Sequence, residues 1–184
     1  VWVGNRGHSS LVHVGLVEGD QCVDRNGNGT IDTSTGYGNI LAWPGGGYGA
    51  SDPVSAAQDE CILHYVDTYG GDVRHLSVNG DGDVWAGNMN DNVWPGTHRF
   101  QLIDDVTGTI VRSADMPCGG YGGIVDGNGV LWSATPGTAV LRWDPNAPNA
   151  AGVNPRCISM PNYGLAFDSL NNIWVSNGRR VCRQ

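Results

Sequence analysis

Asn79-Gly-Asp-Gly-Asp-Val-Trp-Ala-Gly-Asn88 is a polar turn that runs straight into an apolar strand. The same unit returns as Asp126-Gly-Asn-Gly-Val-Leu-Trp-Ser-Ala-Thr135 and as Asp168-Ser-Leu-Asn-Asn-Ile-Trp-Val-Ser-Asn177, and the chain opens on its strand half alone, Val1-Trp-Val-Gly-Asn5. Asn, Asp and Gly accept the positive φ of a tight turn, and an apolar run centred on Trp after such a turn is the pattern of a hairpin feeding a buried strand. Four tryptophans therefore stand in register: Trp2, Trp85, Trp132 and Trp174.

The spacing between them predicts the fold. Trp85 to Trp132 is 47 residues, Trp132 to Trp174 is 42, and Trp2 to Trp85 is 83, close to twice the shorter interval. A period of about 40 to 45 residues carrying four short strands is that of a propeller blade. The expectation is an all-β fold, a β-propeller of four-stranded antiparallel blades. About four blade units fit in residues 1–184, the first and last incomplete, as a single domain or a propeller segment. Counting strands from the second of one unit to the third of another gives three, two sets of four, and three more. An arc of that kind leaves apolar flanks uncovered, so either a longer parent chain or self-association is expected to complete it, and light scattering should show a multimer if the chain is whole.

The period fails only between Val17 and Cys61. This 17–61 stretch reads as an insertion in the first unit, with one short helix expected over Ser51 to Glu60 from its cap, early proline and helix-forming residues.

Composition narrows the function. The 184 residues carry a formal charge of -8 with ten arginines and no lysine, which argues against nucleic acid and anionic membranes as partners. No apolar run is long enough to span a bilayer. The absence of an initiating Met or signal peptide is read as the mark of a mature or trimmed product. Five cysteines (22, 61, 118, 157 and 182) include no CxxC pair, which fits disulfides in a secreted or surface protein better than a zinc site. Cys22 and Cys61 flank the insertion and are expected to close it; among the other three one thiol is left over.

The recurring Tyr-Gly-x-(x)-apolar-Asp segment, turn, apolar-Trp strand and apolar-Arg-apolar-Asp strand resembles the blades of NHL-type and streptogramin-lyase-like β-propellers, over about three quarters of the chain. Proteins of this kind serve as enzymes, receptors and scaffolds, so the resemblance speaks to fold more than to activity. It implies one enzymatic alternative: a streptogramin-lyase-like or lactone-hydrolase-like propeller with a central-channel site, in which His75 or His98 would stand beside carboxylates.

The sharpest local motif lies in the insertion. Asp24-Arg-Asn-Gly-Asn-Gly-Thr-Ile-Asp32 places oxygen side chains at relative positions 1, 3, 5 and 9, with Gly at 6 for the bend. That is the start of an EF-hand-like calcium loop, in which alternate residues of a curled chain point to one centre and the Thr30 carbonyl adds a ligand. Position 12, a bidentate glutamate in that pattern, is Thr35. The expected Ca²⁺ ligands are therefore Asp24, Asn26, Asn28, Thr30 and Asp32, completed by Glu60 or Asp59, which a Cys22–Cys61 bond would bring to the foot of the loop.

Asn79, Asp126 and Asp168 read as turn-forming Asx residues, not as a ring of ligands. The remaining histidines show no zinc spacing and are expected at the surface. Trp43 and Trp94, in loops, are the better candidates for contact with a protein or glycan ligand. The reading is thus a calcium-stabilised propeller that acts as a binding or assembly module.

Overall fold

The structure, a computed structural model, describes residues 1–7, 9–39, 41, 58–69, 71–89, 98–177 and 180–183. Most of the expected helix, Trp43 and Trp94 lie outside the described residues. Among the described residues there are fourteen strands: β1 (Trp2–Asn5), β2 (Ser10–Val14), β3 (Ile62–Asp67), β4 (Val73–Val78), β5 (Val84–Asn88), β6 (His98–Ile103), β7 (Ile110–Met116), β8 (Gly123–Val125), β9 (Leu131–Thr135), β10 (Ala139–Trp143), β11 (Arg156–Ser159), β12 (Gly164–Phe167), β13 (Ile173–Ser176) and β14 (Val181–Arg183). They form four antiparallel sheets, β1-β2-β3, β4-β5-β6-β7, β8-β9-β10-β11 and β12-β13-β14, the division expected from the repeat.

The turns explain the repeat. Asn79 Oδ1 accepts the amides of Asp81 and Asp83 at 3.0 and 2.9 Å. Asp126 Oδ1 takes those of Asn128 and Val130 at 2.8 and 3.0 Å, and Asp168 Oδ1 those of Leu170 and Asn172 at 3.0 and 2.9 Å. Each side chain thus stands in for a turn of backbone. A carboxylate also has a second oxygen to offer: Asp126 Oδ2 accepts the Trp132 indole N–H at 3.1 Å, and Asp168 Oδ2 that of Trp174 at 3.0 Å. Turn and strand are tied together by the same acid.

Successive sheets pack face to face, β1 against β4, β4 against β8, and β12 against β8 and β9; the first and fourth sheets share no comparable contact. The core is accordingly three layers between neighbouring sheets. Leu11, Val66, Val73, Val84, Ala86 and Ile103 fill the first. Trp85, Phe100, Met116, Cys118, Leu131, Leu141 and Trp143 fill the second, and Val140, Ile173 and Val175 the third.

The four registered tryptophans differ in burial. Trp85 is buried, edge-on to Trp143 with centroids 5.0 Å apart. Trp132 is half-buried against the third layer, and Trp174 is exposed because no further sheet covers its outer face. Trp143, which the repeat did not single out, is the largest fully buried side chain.

Two disulfides brace the sheets. Cys22 and Cys61 are bonded, with Cα atoms 4.4 Å apart, which closes the insertion at its base as expected. Cys118 pairs with Cys157, which leaves Cys182 as the free, exposed thiol. The insertion begins with a short 3-10 turn, Val17–Gly19, that the sequence did not suggest. Asp20 ends it in the left-handed region at φ 52°.

Candidate metal loop and a buried histidine

The Asp24 to Asp32 segment curls as its spacing predicts. Asp24 accepts the amides of Gly27 and Gly29 on its two oxygens at 2.7 and 2.8 Å. Asn26 Oδ1 accepts the Asn28 amide at 2.9 Å, and Asn28 Oδ1 accepts both the amide and the hydroxyl of Thr30 at 2.8 and 2.9 Å. The amide nitrogens of Asn26 and Asn28 each donate to an Asp32 oxygen, at 3.2 and 2.7 Å. Asn26 and Asn28 thus both turn to Asp32, while Asp24 braces the glycines of the same loop. Thr35 is not among them; its hydroxyl accepts from Asn39.

Glu60 comes to the same loop from the other end of the insertion. Val23 donates its amide to the Glu60 carbonyl at 2.8 Å, directly beside the disulfide. One carboxylate oxygen, Oε2, accepts the amides of Asp32 and Thr33 at 2.8 and 3.0 Å and the Thr33 hydroxyl at 3.0 Å. Its other oxygen, Oε1, is buried and makes no close hydrogen bond, while the Arg25 backbone N–H adds a weaker influence on the carboxylate. The Asp32 amide above all holds the carboxyl below its usual range, with burial acting in the opposite sense. A buried anion with one oxygen unused is an unfinished site in chemical terms.

Asp59 is turned elsewhere. Its Oδ1 accepts the Cys61 amide at 2.9 Å and its Oδ2 is held by the Ser34 hydroxyl, so of the two residues offered by the sequence Glu60 is the one whose carboxylate faces the loop. Arg25, which the motif treats as a spacer, donates to the carbonyls of Asp59 and Ile62 at 3.0 and 2.6 Å and clamps the loop onto β3. No feature of the motif signals that contact.

The donor set is all oxygen: three carboxylates and two side-chain amides. That is the chemistry of a hard divalent cation, Ca²⁺ before Zn²⁺. Among the described residues no group of three or more His, Cys, Asp or Glu side chains is placed to hold a metal ion.

His75 or His98 would serve the enzymatic alternative, and the structure describes the surroundings of the first in full. His75, on β4, is wholly buried between the second and third sheets. Its Nε2 lies 2.7 Å from Ser77 Oγ and its Nδ1 3.0 Å from Ser133 Oγ, and its ring stands edge-on to Phe100. Burial pushes its pKa down from 6.5 to about 4. Its ring nitrogens meet hydroxyls, not the carboxylates that a central-channel acid–base pair requires. His13 stacks on Trp2 at 4.4 Å, with His64 beyond it.

Antiparallel sheets of three or four strands, stacked face to face through their inner strands in a succession that does not close, define a β-propeller architecture. Comparison with solved structures agrees. The chain is similar to the WD40 β-propeller domain of Doa1, with a TM-score of 0.51 and 22% identity over 68% of this chain and 40% of that one. It is also similar to a catalytically inactive virginiamycin B lyase from Staphylococcus aureus solved with quinupristin (TM-score 0.49, 18% identity, 67% of this chain and 42% of that one). A protein of unknown function from Bacteroides caccae gives a TM-score of 0.46 at 12% identity, over 65% and 43%. The chain spans about two fifths of each of these structures. At 22% identity the likeness to the WD40 domain shows the fold alone. No model of a known protein family matches the sequence, and no curated protein does.

Proposed function

We propose that this chain is a calcium-stabilised β-propeller unit, secreted or displayed at a cell surface, that binds a protein or glycan ligand or assembles with further propeller sheets. The observation that carries the calcium reading is Glu60: a carboxylate with no exposed surface, set against the Asp24 to Asp32 loop, with one oxygen that makes no close hydrogen bond. Asp24, Asn26, Asn28, the Thr30 carbonyl and Asp32 would hold the ion from the loop and Glu60 would close the set from the far side of the Cys22–Cys61 bond, in place of the absent position-12 glutamate. The role is structural. The insertion is held mainly by polar contacts, and a bound ion would turn those into a single ordered unit. The disulfides favour an oxidising compartment, and no helix of the described residues is long and apolar enough to cross a membrane.

Calorimetry with Ca²⁺ tests it. The protein should take up one ion per chain; Asp24→Ala should abolish uptake, and Glu60→Gln, which keeps the hydrogen-bond geometry and removes the charge, should weaken it by roughly tenfold or more. Uptake indifferent to both changes would contradict the reading.

A further inference from the structure

The innermost strands β4, β8 and β12 carry the same repeat position at their start, from two residues before the strand to its second residue. Counting five residues back from the turn-forming Asn79, Asp126 and Asp168 gives Arg74, Tyr121 and Tyr163. The structure brings these three together. The Arg74 guanidinium lies over the Tyr121 ring, 4.8 Å from its centroid. Tyr121 and Tyr163 have centroids 5.2 Å apart and hydroxyls 2.7 Å apart. Equivalent positions on β4, β8 and β12 therefore form a continuous rung across three sheets.

The rung is rich in donors and poor in acceptors. Arg74 Nε is buried without a hydrogen-bond partner, and no carboxylate of the described residues pairs with the guanidinium. The Tyr121 hydroxyl donates to that of Tyr163, which leaves the Tyr163 proton free to donate outward. Tyr163 is 61% exposed, so one aromatic face is open to solvent. An unpaired cation and an outward phenol beside an open ring face call for a ligand with an anionic acceptor and a C–H face to lay on the ring.

We propose that Arg74, Tyr121 and Tyr163 form a binding site for a carboxylate-bearing saccharide. Arg74 and the Tyr163 hydroxyl hold the carboxylate, the Tyr163 ring stacks on the sugar, and Tyr121 positions both neighbours. A uronic acid unit in an oligosaccharide has this chemistry. The protein's overall negative charge works against long-range attraction, so binding should depend on the local contacts and weaken with salt. The assignment rests on the reading of the chain as a binding module and names one site and one ligand class for it.

The test uses a free oligogalacturonate and the same oligomer fully methyl-esterified, which keeps the sugar faces and erases the charge. Calorimetry should show the wild-type protein preferring the free acid by roughly tenfold or more. Arg74→Gln should remove that preference, Tyr163→Phe should weaken the acid severalfold with no change in thermal melting, and Arg156→Gln, an exposed cation on the outer strand β11, should alter neither. No binding of the acid at about 10 mM, or binding that ignores esterification or Arg74→Gln, would overturn the site. A neutral glycan or protein bound equally by wild type and Arg74→Gln would also overturn it while leaving the broader binding reading intact, and calcium uptake is measured independently of both.

Discussion

Lowering the pH from 6.5 to 4 should cost this protein roughly 3 kcal/mol of stability through His75 alone, at about 1.4 kcal/mol per pKa unit. In the folded state burial holds the imidazole neutral down to about pH 4, with the Gly122 carbonyl a smaller influence in the other direction. Ser133 Oγ accepts the Gly120 amide at 2.8 Å and donates to the Gly122 carbonyl at 3.1 Å, so it is left to accept the proton on His75 Nδ1, and Nε2 accepts from Ser77. The neutral ring is fully satisfied. The unfolded chain takes up a proton near pH 6.5 that the folded one refuses, so stability contributed by the neutral ring is complete above 6.5 and falls as the pH drops through that window. Urea unfolding at pH 7 and pH 4.5 should show the loss, and His75→Gln should flatten the slope by about one proton. An unchanged slope in that variant would mean that another group titrates.

Gly123→Ala is expected to be at least as damaging, at about 3 kcal/mol. A Cβ at Gly123 would lie 2.0 Å from the Trp132 carbonyl oxygen and 2.6 Å from two atoms of the His75 ring. The first obstacle is backbone of the paired strand β9 and cannot swing aside. The second is a ring pinned by two serines and Phe100. Relief would require β8 to separate from β9 or from β4, at the joint between the second and third sheets. Chemical denaturation should show a midpoint shifted well below that of the parent protein. Gly122→Ala makes a fitting control, because nothing stands within 4 Å of the Cβ it would add. Equal stability of the two variants would show that this joint is not tightly packed.

The repeat made the sheets legible because its turn chemistry is local. Asn79, Asp126 and Asp168 form the same Asx turns wherever they stand, and a Trp six residues on marks the strand that follows. Burial was less legible because it depends on which sheet comes next. Trp85 and Trp174 occupy equivalent positions, yet one has a neighbouring sheet beyond it and the other does not. His75 was open to discovery: the alternation of Val73-Arg-His-Leu-Ser-Val78 puts Val73, His75 and Ser77 on one face, and the structure buries that face. The Tyr-Gly repeat was visible too, but Arg74 broke its pattern, and only the packing of β4 against β8 shows that the arginine continues the row.

At the candidate loop, residue spacing singled out Asp24, Asn26, Asn28 and Asp32, and the curl of that segment follows from its Asx turns. Glu60 was reachable only by assuming the Cys22–Cys61 bond, which the structure contains. The choice of Glu60 over Asp59 was not in the sequence. It follows from Ser34 and the Cys61 amide, which turn the Asp59 carboxylate toward themselves.

The most direct test of a metal-ordered insertion on a self-sufficient sheet scaffold is hydrogen exchange measured region by region, with millimolar calcium and then with a chelator. Amides of residues 20 to 39 and 58 to 61 should exchange far faster after chelation, while β5, β9 and β10, in the buried layers, keep their protection. Identical exchange of the loop in the two conditions would contradict the account.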